Sequence, residues 1–148
     1  EGIFLHLASR RGVAERFAAA SCGLGGWHAG ECADPRSLAV ARRYGIELTG
    51  RARLIEPERD FERFGLIVPM DRANRRALLG LGAPPERVRL ARSFDPALRG
   101  APEDRLDVPD PYTGDDRGFE EVFLMLQSAC SGLLDELLGA AGSGQEPD

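Results

Sequence analysis

Apolar residues recur every three or four positions near both ends of this 148-residue chain, the spacing that places them on one face of an α-helix. At the start, this pattern predicts a helix that ends at Gly12. Near the end, it predicts a much longer helix from residue 119 to about residue 138. The sequence that follows is rich in Gly, Ala and Ser, and residues 139–148 are predicted to form a disordered tail.

Two further helices are predicted from their capping residues. Asp34 followed by Pro35 is a favourable helix start, because the carboxylate can accept a backbone N–H and proline suits the first turn. This helix should extend to about Tyr44, where Gly45 ends it. Asp71 can cap another helix, which should run over residues 72–81.

Short apolar runs between these helices predict β-strands. Residues 64–70 are the clearest case, because they are apolar throughout, as expected for a strand covered on both faces. Residues 17–21 and 87–90 are shorter candidates. Strands that alternate with helices indicate an α/β fold with a parallel sheet, and residues 1–138 are predicted to form one domain.

The composition is that of an ordinary globular protein. Hydrophobic residues make up 43% of the chain and charged residues 29%. The formal net charge is −5 and the arginines are scattered, so no nucleic-acid partner is predicted, since phosphate binding needs a basic face. The sequence has no run of about 18 apolar residues, and no membrane span is predicted.

The three cysteines, Cys22, Cys32 and Cys130, do not have the number or spacing of a disulfide framework. They form no Cys-x-x-Cys pair and no cluster with histidine, so neither a metal site nor a cofactor is predicted. Unpaired cysteines favour a reducing compartment, and we expect a cytoplasmic protein.

The stretch Asp110-Pro111-Tyr112-Thr113 carries the most chemical information and lies in a loop directly before the last helix. A carboxylic acid at the edge of a loop, beside an aromatic ring, can donate a proton to a leaving group. The only tryptophan, Trp27, lies in a glycine-rich segment that is predicted to be a loop. Exposed aromatic residues in loops often bind ligands.

In their order along the chain, several segments resemble the low-molecular-weight protein tyrosine phosphatases. The resemblance spans nearly the whole chain and includes Ser21-Cys22-Gly23-Leu24-Gly25-Gly26-Trp27-His28, Asp34-Pro35-Arg36, Met70-Asp71 and Val108-Pro109-Asp110-Pro111-Tyr112. It implies that family's fold, a three-layer sandwich in which helices flank a small parallel sheet. It also implies hydrolysis of phosphate monoesters, with a phosphotyrosine protein or a small aryl phosphate as the substrate.

The resemblance also implies a mechanism and roles for particular residues. In that family a cysteine thiolate attacks phosphorus, an aspartic acid protonates the departing phenolate, and water hydrolyses the cysteinyl-phosphate. Asp110 would be the general acid. Trp27, Tyr112 and Thr113 would line the substrate cleft, and Ser21 would steady the phosphate-binding loop. Thr113 replaces a second aromatic residue that is often found there, so the cleft wall should be smaller or more polar.

The family's nucleophile loop, Cys-x5-Arg, is absent from these 148 residues, because the residues six positions after the three cysteines are His28, Leu38 and Glu136. In the resembled fold this loop follows a central first strand, and both would precede Glu1. Without that strand, its two neighbours would leave buried N–H and C=O groups unpaired. We therefore expect that roughly 15 to 20 amino-terminal residues are missing, and that the 148 residues alone are inactive.

Other functions remain compatible with the sequence. A family member that has lost its nucleophile would be a non-catalytic binding module, although the retention of Asp110, Tyr112 and Trp27 argues mildly against this. Arsenate reductases share the fold but need additional redox cysteines, and neither Cys22 nor Cys32 is convincingly placed for that. Protein-arginine phosphatases also share the fold and differ mainly within the absent loop.

Overall fold

The computed structural model describes residues 1–112 and 114–142. Within these residues the chain forms five α-helices, joined by loops and short 3-10 turns: α1 (Gly2–Arg10), α2 (Pro35–Arg43), α3 (Pro57–Arg63), α4 (Arg72–Gly80) and α5 (Asp116–Gly142). α1, α2, α4 and α5 confirm the four predicted helices, whereas α3 was not predicted. α5 continues through residues 139–142, where the sequence predicts a disordered tail, and the rest of that tail lies outside the described residues.

The capping residues confirm the predicted starts of α2 and α4. Asp34 Oδ1 accepts the backbone N–H of Arg36 at 2.8 Å, and Asp71 Oδ1 accepts that of Asn74 at 2.6 Å. Gly45 ends α2 with a φ of 77°, a left-handed conformation that favours glycine.

The prediction of continuous β-strands is wrong for the described residues, where isolated bridges take their place. Gly23 pairs with Leu54 and Ile67 pairs with Val88 in parallel, as predicted for the sheet, whereas a third bridge, between Cys32 and Arg51, is antiparallel. The second ladder cannot continue, because the next bonding residue on its strand is Pro69, which has no N–H to donate. Residues 17–21 form no bridge, and three of them are exposed.

Helices bury their apolar faces in two separate regions of the core. α1, α2 and α5 surround one region, formed by Ile3, Phe4, Ala8, Val40, Ala41, Ile46, Phe119, Phe123 and Leu134. The other region consists of Ile55, Leu78, Ala83 and Val88, with Phe61 of α3 packed against it. The extended segments contribute to both regions, since Phe17 packs on the first and Ile67 on the second.

α5 is the central helix of the larger core region. By length and hydropathy alone its residues Asp116–Ala140 could cross a membrane, a possibility that the sequence pattern did not indicate. In the structure, Phe119, Phe123, Ala129 and Leu134 are buried, and α5 packs on α1, α2 and the 3-10 turn Ala91–Phe94. This packing identifies α5 as a core helix of the domain.

α5 passes so close to the turn Ala91–Phe94 that position 132 requires glycine. A Cβ atom at Gly132 would lie 1.9 Å from the carbonyl oxygen of Phe94. Gly132→Ala is therefore expected to lower the free energy of unfolding by about 1–3 kcal/mol, as other overpacked core variants do. At Gly139 a Cβ would meet nothing within 4 Å, so Gly139→Ala should stabilise the helix by about 0.5–1 kcal/mol. Urea denaturation measures both, and a stabilised Gly132→Ala would contradict the predicted clash.

Candidate active site

Asp110 lies on an exposed loop between the 3-10 turn Glu103–Arg105 and α5. Its Oδ1 accepts the backbone N–H of Tyr112 at 3.0 Å, which closes a local turn. The N–H of Gly114 donates to the carbonyl oxygen of Pro111 at 3.0 Å and closes a second one. These hydrogen bonds restrain Tyr112 and Gly114, while the Asp110 carboxyl remains accessible to a ligand.

A shallow depression of about 370 Å³ borders Asp110 on the side of α4. Asp107 anchors its floor by accepting the backbone N–H of Arg72 at 2.8 Å and the Nε–H of the same residue at 3.0 Å. These bonds hold the pKa of Asp107 below its usual value. The N–H of Val108 donates to the carbonyl oxygen of Met70 at 2.9 Å. The hydrogen bonds of Asp107 and Val108 therefore fix the start of the loop that carries Asp110.

Tyr112 presents its side chain to solvent two positions after Asp110. The residue is 62% exposed, as expected for a ring that could contact a substrate. The structure thus brings Asp110 and Tyr112 together in one loop. The predicted cleft residue Thr113 lies outside the described residues.

Trp27 is 82% exposed in the glycine-rich loop, as the sequence pattern indicates. Its ring lies over Gly25, where a Cβ atom would come within 2.3 Å of the ring. The loop is attached to the following extended segment, because the N–H of Gly23 donates to the carbonyl oxygen of Arg53 at 2.8 Å. Among the residues that the structure describes, no hydrogen bond or ring contact joins Trp27 to the Asp110 loop.

A buried ion pair supports the segment to which the Trp27 loop is attached. Asp60 is only 8% exposed and accepts Nη1–H and Nη2–H of Arg53 at 2.8 and 3.1 Å. It also accepts the backbone N–H of Glu56 at 2.9 Å. The hydrogen bonds from Arg53 and Glu56 hold the pKa of Asp60 below its usual value, although its burial acts in the opposite direction.

Ser21 lies beside the N-terminus of α1. Its hydroxyl donates to Oε2 of Glu1 at 2.5 Å, and Glu1 directly precedes α1. A helix N-terminus favours anions because its first N–H groups are unpaired and the helix dipole is positive there. Ser21 is therefore next to a place where an anionic group would be stabilised.

The cysteines offer neither a disulfide nor an evident thiolate nucleophile. Cys22, Cys32 and Cys130 are all free. Partial burial raises the pKa of the Cys22 thiol in spite of the nearby Arg53 guanidinium, and burial also raises that of Cys130. In residues 1–112 and 114–142, His, Cys, Asp and Glu side chains form no group of three or more that could hold a metal ion.

Arg36 is a contact of this loop that the sequence did not indicate. The Asp34-Pro35-Arg36 stretch predicts only a helix start, yet the Arg36 side chain donates to carbonyl oxygens 76 and 78 positions later in the chain. Contacts between residues so far apart in the sequence produce no local sequence pattern, because they depend on the packing of α2 beside the end of the loop.

The chain is similar along most of its length to known proteins of one family. The family model for low molecular weight phosphotyrosine protein phosphatases matches residues 1–141. A low molecular weight protein-tyrosine-phosphatase of Streptomyces coelicolor is 44% identical over 138 residues, which cover 90% of this chain and 81% of that protein. The low molecular weight protein-tyrosine phosphatase A of Mycobacterium tuberculosis is 40% identical over 135 residues, or 91% of this chain and 80% of that protein.

A solved structure gives the same result for the fold. The protein tyrosine phosphatase of Entamoeba histolytica matches with a TM-score of 0.85 at 26% identity, over 95% of this chain and 88% of that one. The chain therefore has the α/β fold of these phosphatases, with isolated bridges where strands were expected. Its relatives at 40–44% identity identify it as a phosphatase, and it belongs to the low molecular weight phosphotyrosine protein phosphatase family.

Proposed function

We propose that the intact protein hydrolyses phosphate monoesters of phenols, including phosphotyrosine in proteins, and that Asp110 is the general acid. The observation that carries this proposal is the accessible Asp110 carboxyl, which accepts the N–H of Tyr112 and lies two positions from the exposed Tyr112 ring. A phosphatase that releases a phenol needs such a group, because the phenolate is a poorer leaving group than the neutral phenol.

The reaction proceeds in two displacements. In the first, a cysteine thiolate forms an S–P bond while the P–O bond to the phenol breaks, and Asp110 gives its proton to the departing oxygen. In the second, the Asp110 carboxylate takes a proton from a water molecule whose oxygen attacks phosphorus. The S–P bond then breaks, and inorganic phosphate and the thiolate are released.

Exposed aromatic residues define the substrate cleft in this proposal. The Tyr112 ring would pack beside the phenol ring, and Trp27 would border the cleft from the glycine-rich loop. Thr113 would contribute a smaller and more polar wall than an aromatic residue. Ser21 would hold the phosphate-binding loop at the start of α1.

The nucleophile and the phosphate-binding arginine would come from residues outside these 148. None of the three cysteines has an arginine six positions later. Backbone hydrogen bonding also supports this part of the proposal, since within the described residues neither residues 18–22 nor Leu66 and Val68 make a backbone hydrogen bond. A strand that precedes Glu1 could lie between residues 18–22 and the segment with Leu66 and Val68, and could pair with both. A loop from this strand to α1 would then place a bound phosphate at the N-terminus of α1.

The test begins with the coding sequence before Glu1. We expect it to encode a Cys-x5-Arg loop within about 20 residues. The extended protein should release phenol and phosphate from an aryl phosphate at mildly acidic pH, whereas the 148-residue chain should show no turnover. Mass spectrometry after a rapid acid quench should find phosphate on the cysteine of that loop.

A serine variant of that cysteine is the control. It keeps the loop nearly unchanged in size but should abolish both hydrolysis and the phosphocysteine. An extended protein that binds an aryl phosphate without cleaving it would favour the non-catalytic binding module. Cleavage of phosphoarginine in preference to aryl phosphates would favour a protein-arginine phosphatase. Reduction of arsenate by the extended protein would favour an arsenate reductase, which needs additional redox cysteines.

A further inference from the structure

Arg36, in the first turn of α2, holds the end of the loop that carries Asp110. Its Nη2–H donates to the carbonyl oxygen of Tyr112 at 3.1 Å, and its Nη1–H donates to that of Gly114 at 3.3 Å. The guanidinium carbon lies 5.8 Å from the centroid of the Tyr112 ring. Arg36 therefore contacts both the backbone and the aromatic side chain of this loop.

The Arg36 side chain is itself fixed by its neighbours. Asp34 accepts Nε–H and Nη2–H, each at 3.2 Å, and the centroid of the Phe119 ring is 4.2 Å from the guanidinium carbon. The hydrogen bond between the two side chains raises the pKa of Arg36 and lowers that of Asp34. Because Asp34 also caps α2, the direction of the guanidinium is tied to the start of that helix.

We propose that Arg36 is a positioning residue that, through the loop, sets the place of the Asp110 carboxyl over the phosphate ester. This inference rests on the proposed role of Asp110 as the general acid. Four of the five N–H groups of the guanidinium are directed to Asp34 and to the two loop carbonyls, so Arg36 acts through the loop and does not itself bind substrate.

This arrangement requires arginine and cannot be made by lysine. The planar guanidinium bridges Asp34 and two carbonyl groups at once, whereas an ammonium is a compact charge without that fixed fork. Arg36→Lys therefore keeps the charge and loses the bridge. Arg42→Lys is the matched control, because Arg42 is an exposed residue of the same helix and its side chain makes no hydrogen bond within the described residues.

The experiment compares kcat and KM of the intact protein for phenyl phosphate and nitrophenyl phosphate. Arg36→Lys should lower kcat/KM for phenyl phosphate, which reports the first displacement, about 10–100-fold, since a displacement of about 1 Å in a reacting group can have that effect. KM should change less than about threefold, because the variant impairs a proton transfer and does not weaken binding of the substrate in its ground state. The loss should be smaller with nitrophenyl phosphate, whose leaving group needs less protonation, and Arg42→Lys should match the wild type.

Two further measurements separate positioning from a general loss of stability. In an Asp110→Asn background, Arg36→Lys should add almost no further loss of rate, because both changes act on one proton transfer. Amide hydrogen exchange gives a readout that does not depend on catalysis. The N–H of Gly114, which donates to Pro111, should exchange faster in Arg36→Lys than in Arg42→Lys.

The outcomes distinguish this inference from the proposed function. A full rate with both substrates in Arg36→Lys, or an equal loss with and without Asp110, would overturn the positioning role and leave the acid role of Asp110 intact. A normal rate for Asp110→Asn would instead overturn the proposed function, and the inference about Arg36 with it.

Discussion

Asp110→Asn in the intact protein is expected to slow the hydrolysis of phenyl phosphate about 10²–10⁴-fold, the usual contribution of a general acid. Asparagine keeps an oxygen that can accept the Tyr112 N–H, so the local turn should remain while the proton donor is lost. The measurement is kcat/KM for a series of aryl phosphates, because this ratio reports the first displacement, in which the phenol departs, and not the hydrolysis of the cysteinyl-phosphate. The loss should be greatest for phenol and should shrink as the leaving group becomes more acidic, because such a group departs without a proton.

Asp104→Asn is the control for this prediction. Asp104 is also exposed, lies in a separate turn, and has no hydrogen-bonded side chain within the described residues. Its rates should equal those of the wild type across the series. A loss in Asp110→Asn that is the same for every leaving group would show that the residue shapes the loop and does not donate the proton.

Asp60→Asn is expected to lower the free energy of unfolding by about 3 kcal/mol, the effect of removing one partner from a buried ion pair. The Asp60 carboxylate is nearly buried, while about a third of the Arg53 side chain is exposed, which keeps the effect toward the lower end for such pairs. Asparagine is close in size to aspartate, so the change tests charge more than packing. Urea denaturation followed by circular dichroism gives the free energy of unfolding.

The effect of Asp60→Asn should depend on pH with a defined sign. The pKa of Asp60 is lower in the folded protein than in the unfolded chain, so its contribution is fully present above about pH 4, the unfolded value. It is lost as the pH falls from there through the folded pKa. The stability difference between wild type and Asp60→Asn should therefore narrow below about pH 4.

Glu62→Gln is the matched control on the same helix. Glu62 is exposed, and its side chain makes no hydrogen bond within the described part of the chain. Its removal should change the free energy of unfolding by less than about 0.5 kcal/mol. If the two variants lose similar stability, or if the Asp60→Asn deficit is constant down to acid pH, the ion pair is not the source of the effect.

The helices that the sequence predicted are those with clear local signals. Asp34 and Asp71 are side chains that can cap, and both do so in the structure. α3 was not predicted because Pro57–Arg63 is short and has a single apolar position, Phe61, so it shows no apolar stripe. It is supported by contacts that an apolar pattern does not reveal, namely the hydrogen bonds of Asp60 with Arg53 and Glu56 and the packing of Phe61 on the core.

The strand predictions fail because an apolar run favours an extended segment but does not specify a pairing partner. Residues 64–70 are as apolar as a central strand, but Pro69 cannot donate to a ladder and Leu66 and Val68 make no backbone hydrogen bond among the described residues. A run of this kind needs a neighbour on each edge to become a strand. The pattern of residue types along the run carries no information about whether that neighbour is present.

The candidate site divides in the same way between local and distant signals. Asp110 and Tyr112 are adjacent in the sequence, so a short motif is enough to find them. The contacts of Arg36 cross 76 and 78 positions, and no local pattern predicts them. Residues that hold a loop in place from elsewhere in the chain, such as Arg36, are thus harder to predict from the sequence than residues within the loop itself.

The exposure of Trp27 has a consequence for spectroscopy. It is the only tryptophan, and at 82% exposure its indole is already in water in the folded state. Its fluorescence emission will therefore differ little between folded and unfolded chains, and thermal denaturation followed by tryptophan fluorescence should show only a small change. If Trp27 borders the substrate cleft, as proposed, binding of an aromatic substrate should cover the indole, and its emission should report binding in place of folding.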